Sequence, residues 1–556
     1  MGNEGSGNIL LTKTGLFIHT YTCKQPAARM SPLNGLDPSM NRVSALMKGK
    51  CFFVTGGTGF LGKVLVEKML RDCGELDTIY LLVRPKKGKE PSARVNELFD
   101  SPLFEKLRTT RPEARKQLVA IAGDVVEKDL GISPADRALL IERVNIIYHC
   151  AATVRFDEPL RKAIMLNTRG TKLVVDLAEE CKNLDLLVYV STAYCHLKEA
   201  LLQEKIYDPP ADPHKIIKCC EYMEEKIVEQ MTKRILMDAP NTYAYTKALA
   251  EGLVSEKMDK IPSIILRPSV IIPIWKEPIA GWTDNINGPT GILIAAGKGV
   301  LRTMWCKSNT YADFVPVDIV ANAILLSTWN YVGRKDHEKR VYNLTSSAEF
   351  KVTWQEIIDI GTSLVEKVPL NGMVWYPGGS MKDSKMVHNI CVFLYHTIPA
   401  YFLDAIIVLA GHKPILKRVQ DRISKGFEVF EYYANNQWDF VSTNILSLRH
   451  VVSETEKDRF CIHGDDLDLH TYFEACIRSA RIYVLKEMPD TLPGAIKHAR
   501  RMYWLDKFVQ ALFWYFVMYM IYSYSTTVSS VVDSAWDSTK GFVTPSIMGS
   551  EQSTLN

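Results

Sequence analysis

Short apolar runs alternate with amphipathic stretches through the first two thirds of the chain. Residues 51–54 form an uninterrupted apolar run, and Phe60, Leu61, Val64, Leu65, Met69 and Leu70 then recur at helical spacing, which predicts a buried strand feeding a helix. Strand-like runs return at 78–83, 118–122, 145–150, 184–190 and 263–266, with helical patterns between them. Such alternation predicts an α/β chain with a doubly wound parallel sheet covered on both faces. From about residue 365 the alternation fades, and aromatic, apolar, helix-like stretches take over.

Two of those later stretches lack formal charge over a long span. In 390–411, Pro399 and Asp404 interrupt the run, so a buried core helix is the first expectation and an acyl-binding or interface-lying element the second. Residues 508–532 carry no formal charge and, at about 1.5 Å per residue, are long enough to cross a bilayer. Lys497, Arg500, Arg501 and Lys507 precede them, which puts the catalytic part on the cytosolic side if the segment is a tail anchor or hairpin; a helix packed on the folded part is the alternative. An intracellular membrane is the expected location, the endoplasmic reticulum first and the peroxisomal membrane second. The final Ser553-Thr554-Leu555-Asn556 matches neither a peroxisomal tripeptide nor a lumenal retention signal.

The expected organisation is a flexible extension over 1–47, a dinucleotide-binding domain with a substrate lobe over 48–360, and a mostly helical domain over 361–485. A basic flank and hydrophobic segment follow over 486–532, then a polar tail over 533–556. Met1-Gly2-Asn3-Glu4-Gly5-Ser6 fits the N-myristoylation pattern, a short one that also arises by chance. No N-terminal run has the apolarity of a secretory signal.

Composition changes this picture little. A hydrophobic fraction of 47% over 556 residues permits a large core, and a net charge of +4 gives no argument for nucleic acid. The 12 cysteines form no CxxC or Cys/His cluster at zinc spacing, which reads as reduced thiols and no metal.

Candidate chemistry sits at strand ends. Thr55-Gly56-Gly57-Thr58-Gly59-Phe60-Leu61-Gly62 lies in the first strand-to-helix turn, where glycines let a backbone turn tightly and approach a pyrophosphate at a helix N-terminus. The second strand ends at Arg84-Pro85-Lys86-Lys87 instead of the acidic residue that binds ribose hydroxyls. Arg84 is therefore expected to stack on adenine and pair with a 2′-phosphate, favouring NADPH, with a solvated basic loop as the alternative. Asp124 and Val125 follow the third strand near the expected adenine, and Ala151 and Ala152 close the fourth, leaving room for cofactor or for tight packing.

Tyr243 and Lys247 stand in a Y-x-x-x-K, four residues apart and so on one helical face. A phenol is a sluggish proton donor unless a nearby cation lowers its pKa, and an ammonium can also bond the nicotinamide ribose. Tyr245 is a decoy without a lysine four residues on. Thr192, with Ser191 beside it, supplies hydroxyls where a carbonyl would lie, and Asn167 is expected either to hold a proton-relay water or to cap structure.

Three stretches carry a resemblance: the glycine turn; 238–251 with Tyr243, Lys247 and Glu251; and Leu266-Arg267-Pro268-Ser269-Val270 running to Glu277-Pro278-Ile279-Ala280-Gly281-Trp282-Thr283-Asp284-Asn285. Over roughly residues 47–525 the chain resembles the fatty acyl-CoA reductases related to male-sterility proteins, within the extended short-chain dehydrogenase/reductases. The resemblance implies a Rossmann-like fold with Pro268 among the cofactor contacts. It also implies reduction of a long-chain or very-long-chain acyl-CoA by two NADPH to a fatty alcohol, with free CoA and an aldehyde intermediate. Thr192 and Tyr243 then hold the carbonyl oxygen, and no cysteine carries the acyl group. An epimerase or hydroxysteroid dehydrogenase on the same cofactor half leaves 277–285 and the C-terminal extension unexplained; a non-enzymatic NADPH-binding scaffold at a lipid surface leaves Tyr243 and Lys247 unexplained. Chain-length preference and oligomeric state are not in the sequence.

Overall fold

The computed structural model describes residues 42–540 apart from 86, 87, 287, 348, 350 and 465. The myristoylation pattern at Gly2, most of the 1–47 extension, Lys86, Lys87 and residues 541–556 of the polar tail lie outside them.

Seven strands form the central sheet: β1 Cys51–Thr55, β2 Thr78–Val83, β3 Leu118–Ala122, β4 Ile146–His149, β5 Leu186–Val190, β6 Ser263–Pro268 and β7 Val341–Leu344. Their order is β7-β6-β5-β4-β1-β2-β3, and every neighbouring pair is parallel. Six strands stand where the apolar runs predict them; β7 joins at the far edge. Helices α1 Phe60–Asp72 and α4 Val317–Val332 share one apolar cluster with one face of the sheet, while α2 Gly170–Glu180 and α3 Thr242–Ser255 pack the other. The order in which strands are added reverses between β1 and β4, which opens a crevice beyond their C-terminal ends.

The later part of the chain is woven into this sheet domain. The boundary expected at 360 falls inside helix Trp354–Leu364. Asp439–Phe440 pairs with Leu201–Leu202, Asn322 donates to the Cys461 carbonyl, and Glu456 accepts from the backbone N–H groups of Arg42, Val43 and Ser44. These ties cross the expected boundary in both directions.

Residues 390–411 are not a buried core helix. Lys385–Leu409 is the helix that, among the described residues, is long and apolar enough to cross a membrane. Its buried positions, His396, Ala400 and Asp404, fall every four residues, while Phe393, Tyr401, Phe402 and Leu409 are exposed. The reason lies in Asp404, which turns inward and accepts the N–H groups of Ile415, Leu416 and Lys417, capping the next helix, Leu416–Asn435. The polar stripe faces protein and the apolar surface faces out.

Residues 508–532 lie within one helix, Leu492–Lys540, about 70 Å long. Ala495, Ala499 and Asp506 pack against the body, and beyond them the apolar side chains, among them Phe508, Trp514 and Tyr519, are exposed. Arg302 joins the two apolar elements. Its backbone N–H donates to His396, its guanidinium lies 5.2 Å from the Tyr395 ring, and it pairs with Asp506 at 3.4 Å.

Candidate active site

The glycine turn is shaped for close approach. Gly56 has φ +74°, and a Cβ there would lie 2.7 Å from the Ala151 nitrogen at the end of β4; one on Gly62 would lie 2.2 Å from the Gly56 oxygen. Neither position tolerates a side chain, so turn, helix and strand end meet at van der Waals distance. Among the described residues no side chain caps α1 at Gly59, and its first-turn N–H groups at Phe60, Leu61 and Gly62 remain available to a phosphate. A pyrophosphate-bearing dinucleotide fits this cradle.

The Thr55 side chain belongs to the wall behind that cradle. It is fully buried, its hydroxyl 2.7 Å from His149 Nδ1 and accepting from the Ala151 N–H. His149 Nε2 meets the Thr171 hydroxyl at 2.9 Å, and Thr171 donates to the Asn167 carbonyl. Satisfying all of these assigns the ring proton to Nε2. Burial, with Lys247 nearby, pushes His149 down to about 3, so it stays neutral. Ala152 follows half-buried beside Ala151.

At the adenine end Arg84 is exposed, 3.8 Å from Asp124. Asp124 caps its own turn by accepting from the Val126 N–H, and Val125 is buried against Gly170. The sequence reading missed Arg94. From the first turn of helix Pro91–Phe99 its guanidinium donates to the Arg84 carbonyl at 2.6 Å and reaches Thr58 of the glycine turn at 3.5 Å. No local motif marks it, because the contact depends on how that helix folds back.

Tyr243 and Lys247 share one face of α3, whose start is capped by the Asn241 side chain on the Ala244 N–H. Burial raises the Tyr243 phenol above its usual value, with the Thr192 hydroxyl beside it working the other way. Lys247 is buried, donating to the Val190 carbonyl at 2.7 Å and the Tyr189 hydroxyl at 3.3 Å, with the Tyr189 ring 4.6 Å away. Burial lowers it to about 8. The expectation that the ammonium lowers Tyr243 is therefore not met: Lys247 is turned to the end of β5, and desolvation dominates the phenol.

Thr192 accepts from the Tyr194 N–H, so its own proton remains to be donated, whereas Ser191 directs its hydroxyl at Cys195 Sγ, 3.8 Å away. That separates two residues the sequence could only rank. Asn167 is buried in a widened helical turn, Ile164–Arg169, with its amide oxygen on the Thr153 N–H and its amide nitrogen on the Thr153 carbonyl and Thr246 hydroxyl. Of the two roles expected for it, these contacts fit the structural one, tying the segment after β4 to α3. The decoy Tyr245 packs with Cys220 and Leu249 on the opposite side of α3.

Behind the site, Glu251 binds Arg267 through both oxygens, at 2.9 and 2.7 Å, and His196 at 2.9 Å. Cys195, His196 and Glu251 are close enough to ligate an ion, but the guanidinium already occupies the carboxylate. Pro268 ends β6, its carbonyl accepting the Ala193 N–H. The 277–285 segment clamps this half to the later helices: Trp282 stacks on Phe60 with centroids 6.0 Å apart, Asp284 pairs with Lys63, and Glu277 pairs with Arg71 at 2.6 Å. Gly281, at φ +72°, lies where a Cβ would meet the Ala475 backbone at 2.3 Å. From helix Leu416–Asn435, Tyr433 accepts from Asn241 at 2.8 Å and packs on Phe156, whose ring meets Tyr243.

The family described as male sterility protein matches residues 54–324 as its NAD-binding region and 395–487 as a second region. Fatty acyl-CoA reductase wat of Drosophila melanogaster is 37% identical over 476 residues, covering 86% of this chain and 92% of the relative. Fatty acyl-CoA reductase 1 of Rattus norvegicus is 38% identical over 455 residues, with coverage of 82% and 88%. Among solved structures, the terminal R domain from the myxalamid PKS-NRPS biosynthetic pathway superposes at TM-score 0.52 with 19% identity, covering 79% of this chain and 92% of the other. The reductase domain of a non-ribosomal peptide synthetase from Mycobacterium tuberculosis gives 0.52 and 19%, with coverage of 81% and 97%. These two establish likeness of fold, and the match to the family's NAD-binding region supports a nicotinamide cofactor.

Proposed function

The chain belongs to the fatty acyl-CoA reductase family, and from that premise we propose that it reduces a long-chain or very-long-chain acyl-CoA to the primary alcohol, using two NADPH and releasing CoA. The observation that carries the reading is the Thr192 hydroxyl beside the Tyr243 phenol, with Lys247 buried one turn further along α3.

Bound in the glycine cradle, NADPH supplies a hydride in each of two rounds. Thr192 and Tyr243 donate to the thioester oxygen and stabilise the charge that develops there. Tyr243, its phenol held protonated by burial, passes its proton to that oxygen. As the hemithioacetal so formed collapses to the aldehyde, its hydroxyl proton returns to the Tyr243 phenolate and CoA leaves as thiolate, which takes up a proton from solvent. In the second round the same two hydroxyls hold the aldehyde oxygen and Tyr243 again delivers the proton, giving the alcohol. Lys247 supports each transfer electrostatically from the end of β5.

NADPH is favoured over NADH by two guanidiniums at the end of β2, Arg84 and Arg94, held together by the Arg94 bond to the Arg84 carbonyl. The apolar outward face of Lys385–Leu409 and the exposed end of Leu492–Lys540 support docking on a bilayer, with the crevice on the cytosolic side of an intracellular membrane. Incubating the purified chain in detergent with acyl-CoAs from short to very long, and NADPH or NADH, tests the reading. Alcohol and free CoA should accumulate with NADPH, and Arg94→Ala should raise the KM for NADPH about tenfold or more while leaving that for NADH unchanged. No aldehyde or alcohol from any acyl-CoA would overturn it.

A further inference from the structure

Beyond the catalytic crevice lies an apolar cavity of about 1520 Å³, including the part that opens to solvent. It sits between the substrate lobe and the later helices, with Ile272, Leu293, Met304, Ile357, Phe473 and Ile477 among its walls. A wall this apolar would strip water from any polar guest without replacing its hydrogen bonds. An unbranched hydrocarbon chain gains from burial there along its whole length.

Aromatic rings connect the cavity to the site. Tyr243 meets Phe156 at 5.5 Å between centroids, and Phe156 meets Tyr433 at 5.4 Å. Tyr433 lines a smaller pocket, together with Tyr194 and Trp438. That smaller space shares two walls with the large one, Phe314 and Trp354. Their rings stand edge to face at 5.5 Å, and Trp354 makes a similar contact with Phe430 at 5.1 Å. The Trp354 indole N–H is buried and has no hydrogen-bond partner among the described residues. Packing alone holds that partition, so the indole can turn without breaking a hydrogen bond.

One position inside the large cavity differs from its neighbours. Helix Trp354–Leu364 presents Ile357, Ile358 and Gly361 to the space. A glycine within a helix weakens it, and a Cβ on Gly361 would meet nothing within 4 Å. Any side chain there would project into the volume and displace no protein atom near its root.

We propose that the acyl chain threads past Phe314 and Trp354 into this cavity and that the room left by Gly361 sets how long a chain is accepted. The inference rests on the acyl-CoA reading. In use, the thioester lies at Tyr243, the hydrocarbon passes through the aromatic partition, and the CoA phosphates stay in the solvated crevice.

Two measurements test it. The first compares kcat/KM for short and very-long acyl-CoAs in wild type, Gly361→Ala and Gly361→Phe, with NADPH binding and thermal unfolding as checks on folding. The long-to-short ratio should fall about tenfold or more in Gly361→Phe and less in Gly361→Ala; an unchanged ratio in a variant that still binds NADPH overturns the proposal. The second illuminates the wild-type protein with palmitoyl-CoA carrying a diazirine at the chain terminus and maps the labelled peptides. Label in 354–365 or 472–480 supports the proposal. Label confined to the outward faces of Lys385–Leu409 and 508–540 overturns it. Should wild type reduce no acyl-CoA at all, the reductase reading fails, and the labelling still decides whether the cavity takes the chain.

Discussion

Tyr243 keeps its proton in the resting site because burial raises its pKa, and it yields that proton only to a stronger base, the oxyanion formed at the carbonyl. Tyr243→Phe should therefore lower kcat by about 100-fold or more, with NADPH affinity nearly unchanged by fluorescence titration. Lys247 sets the pH range. Burial lowers it from 10.5 to about 8, so if the ammonium is needed, kcat/KM falls as pH rises above about 8. Lys247→Arg should move that limb upward, because a guanidinium keeps its charge. Stability has the opposite slope: between about 8 and 10.5 the unfolded chain binds this proton more tightly, so folding becomes more favourable as pH rises through that window, and Lys247→Met should flatten the rise in denaturant titrations. Tyr243, Lys247 and Thr192 were readable because strand ends and a four-residue helical spacing place them. Arg94, His149 and Tyr433 were not, since each is defined by a partner far along the chain, Tyr433 through Asn241 and Phe156.

At the scale of elements, the alternation of buried runs and helical patterns gave six of the seven sheet strands, because a strand covered on both faces must be apolar at every position. Residues 390–411 misled for an equally physical reason. A charge inside an apolar run suggests a core helix with one satisfied polar group, and which way that group points depends on a partner, here the N–H groups of 415–417, that pattern alone does not reveal. The 277–285 segment was recognisable as a motif, yet its purpose is visible only in space, where it holds α1 to helix Leu469–Ser479. β6 and α3 are joined by the buried Arg267–Glu251 pair. Arg267→Met would leave Glu251 buried with only His196 and the Cys195 thiol opposite and should cost about 3–5 kcal/mol, read as a lowered denaturation midpoint. Arg267→Met combined with Glu251→Leu should recover part of that loss.

For the whole molecule, the sheet domain, the apolar cavity and the two outward apolar helices meet around Arg302, whose neighbour Leu301 lines the cavity. The proposed bilayer docking would place substrate and product exchange beside lipid. Glutamates in place of Phe393 and Phe402, both exposed, should reduce flotation with phospholipid vesicles about tenfold or more and leave NADPH binding intact. Wild-type flotation unchanged by the pair would remove those residues from the docking face. The proposed reaction is two successive carbonyl reductions in one site governed by Tyr243. Supplying NADPH deuterated at the transferred position, with an unlabelled long-chain acyl-CoA, measures it directly by mass spectrometry of the lipid product. Two turnovers in this site should give a primary alcohol carrying two deuterium atoms on its first carbon, formed by wild type and not by Tyr243→Phe. An alcohol without deuterium, or the same labelled alcohol from the variant at the wild-type rate, would contradict it.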